Sequence, residues 1–236
     1  QPDHMMSAPV VDVRVYRDGF GNWCRRFVAP AGLFTMSANA VIRDSGAYDP
    51  FNNQALQFSV ENLPSEVLIW LLPSRYCESD RLSEAAWNMF GALPAGWPLI
   101  QAICDFVHQH VSFSYEHSDP FRTAAQTYAE RIGVCRDFAH LAIAFCRAMN
   151  VPARYCTGYI SEFGQRLPHS PGDFAAWIEV YLGGRWHVFD PRNNQPRIGR
   201  FLVARGRDAA DVPLTHAFGK NELVSFEVWT DAIDDA

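Results

Sequence analysis

The stretch GVCRDFAHLAIAFCRAMNVP, residues 133–152, limits what this chain can fold into more than any other. Phe138, Leu141, Ala142, Phe145, Cys146 and Met149 recur at i, i+3, i+4, i+7, i+8 and i+11, which is one stripe of an α-helix. Asn150 and Pro152 stop that helix. Three strand-like runs follow at once: ARYCTGYI, AAWIEVYL and RWHVFD. A striped helix must bury its apolar face, and the strands supply the surface, so the expected class is α+β. A second stripe, Ile100, Ile103, Cys104, Val107 and Val111 in WPLIQAICDFVHQHV, adds another packed helix. RTAAQTYAE reads as a shorter one.

The first 75 residues have a different grain. VDVRVYRDG, RRFVAPAG, LQFSVENLP and EVLIWLLP are short β-type runs set between Gly, Pro, Asn and Asp. They predict an N-terminal β-sandwich-like domain over 7–80 and a second domain over 81–236, with Ser83 or Asp80 opening the helical part. The leading QPDHM reads as an appended remnant, so residues 1–6 are set aside from the fold. RFLVARG and the closing LVSFEVW read as further strands.

Hydrophobic residues make up 48% and charged residues 19%, a globular balance that excludes disorder. A net charge of −6 gives no basic face for nucleic acid. No apolar run reaches the roughly 20 residues that cross a bilayer, and no leader pattern opens the chain, so a cytoplasmic protein is expected. The six cysteines are too sparse for a disulfide scaffold, and Cys104 and Cys146 fall on apolar helix positions, so reduced thiols are expected. Neither a CxxC nor an HExxH pattern occurs, so no metal or other cofactor is expected.

Cys135 opens the striped helix just after Gly133. Backbone N–H groups and the helix dipole favour a thiolate at that end, and the same N–H groups can hold an oxyanion. A buried, inert cysteine is the plainer alternative. The ordered blocks GVCRDFAHLAIAFCRAMNVPARYCTGY, AWIEVYLGGRWHVFDPRNN and RIGRFLVARGRDAADV resemble the bacterial transglutaminase-like family, and the first 75 residues resemble its β-rich N-terminal region. The resemblance implies a papain-like core with a nucleophilic cysteine on a helix and histidine and aspartate on adjacent antiparallel strands. It implies amide chemistry: cleavage of peptide or isopeptide bonds, or acyl transfer to amines. The nucleophile matches Cys135 and the orienting carboxylate matches Asp190. The histidine position matches Ala175. Asn193 and Pro191 also depart from the family's usual residues.

Hairpin geometry supports the same mapping. With Gly183 and Gly184 as a two-residue turn, 182 pairs with 185, 180 with 187, 177 with 190 and 175 with 192. Residue 175 then lies diagonally from Asp190, about 7 Å away, within reach of an imidazole. His187 pairs with Val180 and points to the other face. His140, five residues past Cys135, is rotated off its line. His169, in a loop, is the remaining stand-in.

Without an imidazole, a cysteine is only a few per cent thiolate at neutral pH, and the leaving amine has no acid. The chain is therefore expected to be nearly inactive: a pseudoenzyme that binds a peptide, isopeptide or amide polymer. The alternative is an amidase, isopeptidase or acyl transferase whose histidine has been replaced by Ala175. Arg192, Arg197, Arg200, Arg205 and Arg207 crowd one segment. They read either as surface ion pairs, such as Arg207 with Asp208, or as a rim that binds carboxylates and selects an acidic ligand. Trp177 is expected in the core or cleft wall.

Overall fold

The computed structural model describes residues 3–160 and 173–229. The chain forms two compact units that divide between Ala47 and Tyr48.

The first unit is built from two antiparallel pairs. β1 (His4–Ala8) pairs with β4 (Thr35–Asn39), and β2 (Arg14–Arg17) pairs with β3 (Trp23–Arg26). The β2–β3 turn is held by Asp18, whose Oδ1 accepts the N–H groups of Phe20 and Asn22 at 2.9 and 2.8 Å. His4, Met5 and Met6 pair with Asn39, Ala38 and Ser37, so the leading residues set aside by the sequence reading take part in the fold.

In the second unit, Val60–Asn62 and Ser65–Leu71 are 3₁₀ turns. They precede α1 (Ser83–Phe90), α2 (Trp97–His110), β5 (Ser112–Phe113), α3 (Ala124–Glu130), β6 (Ile132–Gly133) and α4 (Cys135–Ala148). Then come β7 (Ala153–Ile160), β8 (Asp173–Leu182), β9 (Arg185–Phe189) and β10 (Arg200–Gly206). The main sheet is antiparallel throughout, in the order β10-β7-β8-β9. α4 packs on β7 and β8 and also against α1, α2 and α3. Both expected stripes lie in this core, and Ile100, Ile103, Val107, Leu141 and Phe145 have no exposed surface. Each such side chain contributes roughly 1.5–3 kcal/mol by leaving water. Asn150, at φ 60°, ends α4 ahead of Pro152.

The β8–β9 hairpin has the register expected from its turn. Leu182 pairs with Arg185 and Val180 with His187, while Gly183 and Gly184 take φ 57° and 83°. Positive φ at both central positions defines the turn whose twist matches the flanking strands, and glycine adopts it without strain.

Four expectations are corrected, the first being LQFSVENLP, which forms no strand and runs into the 3₁₀ turn Val60–Asn62. The unit boundary falls at 47/48, not near 80. EVLIWLLP is not a strand: apolar at nearly every position, it carries no clear period, and as a 3₁₀ turn it buries Val67 and Trp70 three residues apart. LVSFEVW forms no strand; its alternation lacks a partner edge among the described residues, and Leu223, Val224 and Trp229 are exposed.

Candidate active site

At the head of α4, Val134 is extended and Cys135 is the first helical residue, half-buried. Asp137 closes that end. Its Oδ2 accepts the Val134 N–H at 2.9 Å, its Oδ1 takes the Arg136 guanidinium at 3.1 Å, and Arg122 Nη1 lies 3.5 Å away. Asp137 is fully buried, so this pairing compensates for taking a carboxylate out of water. Gly133 permits the approach: a Cβ there would lie 2.6 Å from Asp137 Cβ. Arg136 also donates to the Asp119 carbonyl.

No disulfide joins the six cysteines. Cys77, Cys104, Cys146 and Cys156 are buried, and burial pushes the thiols of Cys77 and Cys146 up to about 12. Cys135 packs at the edge of the main core beside Tyr155 on β7. Burial, and then charge at Cys135, push the Tyr155 phenol well above its ordinary range.

On the sheet, Ala175 pairs with Gly158, and the Thr157 hydroxyl donates to the Ala175 carbonyl at 3.2 Å. Ala175 clusters with Cys156, Ile160 and Trp177, whereas Ala176, Ile178 and Val180 join the core around α4. Asp190 follows β9 and is buried. Its Oδ1 accepts the Asn193 N–H at 3.0 Å, and its Oδ2 accepts Asn193 Nδ2 at 2.8 Å and Arg200 Nη2 at 3.0 Å. Arg200 also pairs with Asp49 at 3.2 Å and lies over the Trp177 ring at 4.9 Å. Ala175, Trp177, Asp190 and Arg200 thus form one neighbourhood, while Cys135 belongs to the neighbouring core cluster.

Two histidines weighed as stand-ins are otherwise engaged. His140 is buried, stacked on Tyr76 with ring centres 5.2 Å apart, and its Nε2 accepts the Ala209 N–H at 3.1 Å. His187 pairs with Val180 and packs edge-on against Trp97. His169 lies outside the described residues.

Among the segment's arginines, Arg200 is held by Asp49 and Asp190, Arg205 by Glu179, and Arg207 by Asp211 rather than Asp208. Arg197 is buried, and its N–H donates to Asp49 Oδ2 at 3.0 Å. Arg192 lies over Phe113 at 4.0 Å, and its carbonyl accepts from the His108 ring. A groove of about 530 Å³ carries different arginines: Arg75 and Arg136, with Tyr76, Tyr155, Thr157 and Phe174, walled by Ala209, Ala210 and residues 212–217. Sequence reasoning missed Asp49, Arg75, Tyr76 and Asp137. Only Asp137 had a local signature, an acid in the first turn of a helix.

These features define an α+β core with a helix-borne cysteine beside an antiparallel sheet, as in cysteine peptidases. Residues 91–191 match the transglutaminase-like superfamily. An uncharacterized protein of Mycobacterium bovis is 35% identical over 221 residues, 84% of this chain and 69% of its own length. One of Mycobacterium leprae is 37% identical over 83 residues, so this chain spans 29% of that relative. A structure from Cytophaga hutchinsonii, described as that of a candidate cysteine protease, superposes with TM-score 0.76 at 31% identity, over 93% of this chain and 74% of that one. The chain belongs to the bacterial transglutaminase-like family. No helix among the described residues is long and apolar enough to cross a membrane.

Proposed function

We propose that this chain keeps a transglutaminase-like cleft for binding an amide-linked chain (a peptide, isopeptide or amide polymer) without turning it over. What supports this reading is an alanine at 175, where the family resemblance puts the base, together with an Asp190 carboxylate already taken up by Asn193 and Arg200. A triad carboxylate orients an imidazole, and here its Oδ2 is spent on two other donors. An imidazole at 175 would activate the Cys135 thiol and protonate the departing amine, and an alanine there supplies neither. In a related triad such a loss costs on the order of 10⁴ to 10⁶ in rate. The cytoplasm suits the protein, since six cysteines without a disulfide fit a reducing compartment.

A second reading is supported by what remains. Cys135 still opens its helix, Trp177 clusters with Ala175, and Arg200 links Asp190 to Trp177. These would serve a working amidase or acyl transferase that has lost one ring.

Ala175→His separates the two. In a cleft that lost one group, the restored imidazole lowers the pH midpoint of Cys135 alkylation, and amide hydrolysis appears against a panel of peptides and amide polymers. In a cleft kept for binding, turnover stays absent whether or not the thiol sharpens, because catalysis needs positioning to about 0.5 Å. Recovered turnover overturns the binding reading.

A further inference from the structure

The groove beside α4 has a charge character that the chain as a whole lacks. The protein carries 26 acidic and 20 basic side chains. Yet the groove's described lining contains Arg75, Arg136 and His216 and no aspartate or glutamate. The two arginines differ in what is left to them. Arg136 is held by Asp137 and the Asp119 carbonyl, so most of its charge is answered within the protein. Arg75 is exposed and lies over the Tyr76 ring at 5.3 Å, and no carboxylate is paired with it among the described residues.

Its place is nonetheless fixed. The next residue, Tyr76, donates its N–H to Asp208 Oδ2 at 2.8 Å and stacks on buried His140. Asp208 Oδ1 accepts the N–H of Ala210, which also lines the groove, at 2.9 Å. One buried carboxylate therefore ties two lining segments together, next to the Arg75 guanidinium. The floor reaches the sheet through Thr157, whose hydroxyl is bonded to the Ala175 carbonyl.

We infer that this groove selects an amide chain bearing carboxylates, and that Arg75 is its specificity-determining residue. The inference rests on the amide-binding reading above and names the ligand class that this groove, next to Cys135 in sequence through Arg136 and to Ala175 through Phe174, would select. A guanidinium grips a carboxylate with two parallel hydrogen bonds, and the Tyr76 ring 5.3 Å away gives it a cation–π contact. Of the arginines in 192–207, Arg200, Arg205 and Arg207 are held by the protein's own carboxylates, and none of the five is in this groove's described lining.

The test is fluorescence anisotropy on the whole chain with labelled α-linked hexaglutamate, γ-linked hexaglutamate and hexaglutamine. Expected is at least tenfold tighter binding of one glutamate chain than of hexaglutamine, weakening as salt rises. The preferred linkage tells a protein segment from a γ-linked polymer. Arg75→Glu should erase the preference and Arg75→Lys should keep part of it; the residue is exposed, so both variants fold. Equal binding of all three chains overturns acidic selection and leaves amide binding standing. Binding of none overturns both. A glutamate preference unchanged in Arg75→Glu overturns the assignment to this groove.

Discussion

Asp190 Oδ2 lies 3.0 Å from Arg200 Nη2, and neither side chain is more than 5% exposed. Arg200 is shared with Asp49, so one guanidinium joins the end of β9, the start of β10 and the loop that opens the second unit. Removing it would leave two carboxylates, one buried and one nearly so, without their cation. Arg200→Ala is expected to cost about 3 kcal/mol of stability, the scale for a broken buried pair. Urea denaturation checks it. A loss below about 1 kcal/mol would mean that Asn193 alone satisfies Asp190.

Native-state alkylation should distinguish the thiols by burial. Cys77, Cys104, Cys146 and Cys156 have at most 1% exposure, whereas Cys135 and Cys24 are half-buried. Iodoacetamide with peptide mapping is expected to label Cys135 and Cys24 first, and the other four only on unfolding. With Ala175 in place of an imidazole, the rate at Cys135 should rise with a midpoint near an ordinary thiol's, about 8.5. A midpoint below about 6 would reveal another cation holding the thiolate and would end the inactive reading.

The core was legible because its signals are local and redundant. The α4 stripe, the Asn150 stop and the two-glycine turn each fix backbone geometry within a few residues. The β8–β9 register followed from the turn alone. EVLIWLLP was not legible, because a run without period fits any element and its 3₁₀ form is decided by how Val67 and Trp70 pack. The site divides in the same way. Cys135, Ala175 and Asp190 lie in recognisable blocks, whereas Asp49, which holds Arg200, is 151 residues away from it in sequence. No spacing rule reaches that far. The arginine cluster could be read two ways because adjacency in sequence says nothing of which carboxylates, such as Asp49 and Glu179, fold against it.

The last prediction concerns acid stability and turns on His140. Its Nε2 accepts the Ala209 N–H, so the ring is neutral with its proton on Nδ1, which finds no partner among the described residues. Burial first, then the charges of Arg136 and Arg147, hold its pKa well below the ordinary 6.5. Protonation would charge a buried ring near two arginines and break the Ala209 bond. Below about pH 6.5 the unfolded chain therefore binds a proton that the folded chain refuses. The contribution is complete above that pH and is lost as pH falls toward the folded value, by up to about 1.4 kcal/mol per pH unit. His187, lowered by burial and then by Arg185, acts in the same direction. His140→Gln retains an acceptor for Ala209 and cannot titrate, so it should lessen the stability difference between pH 7 and pH 5 without removing it. Guanidinium denaturation of both proteins at the two pH values reads this out, and an identical pH dependence in the variant would show that His140 is not the group responsible.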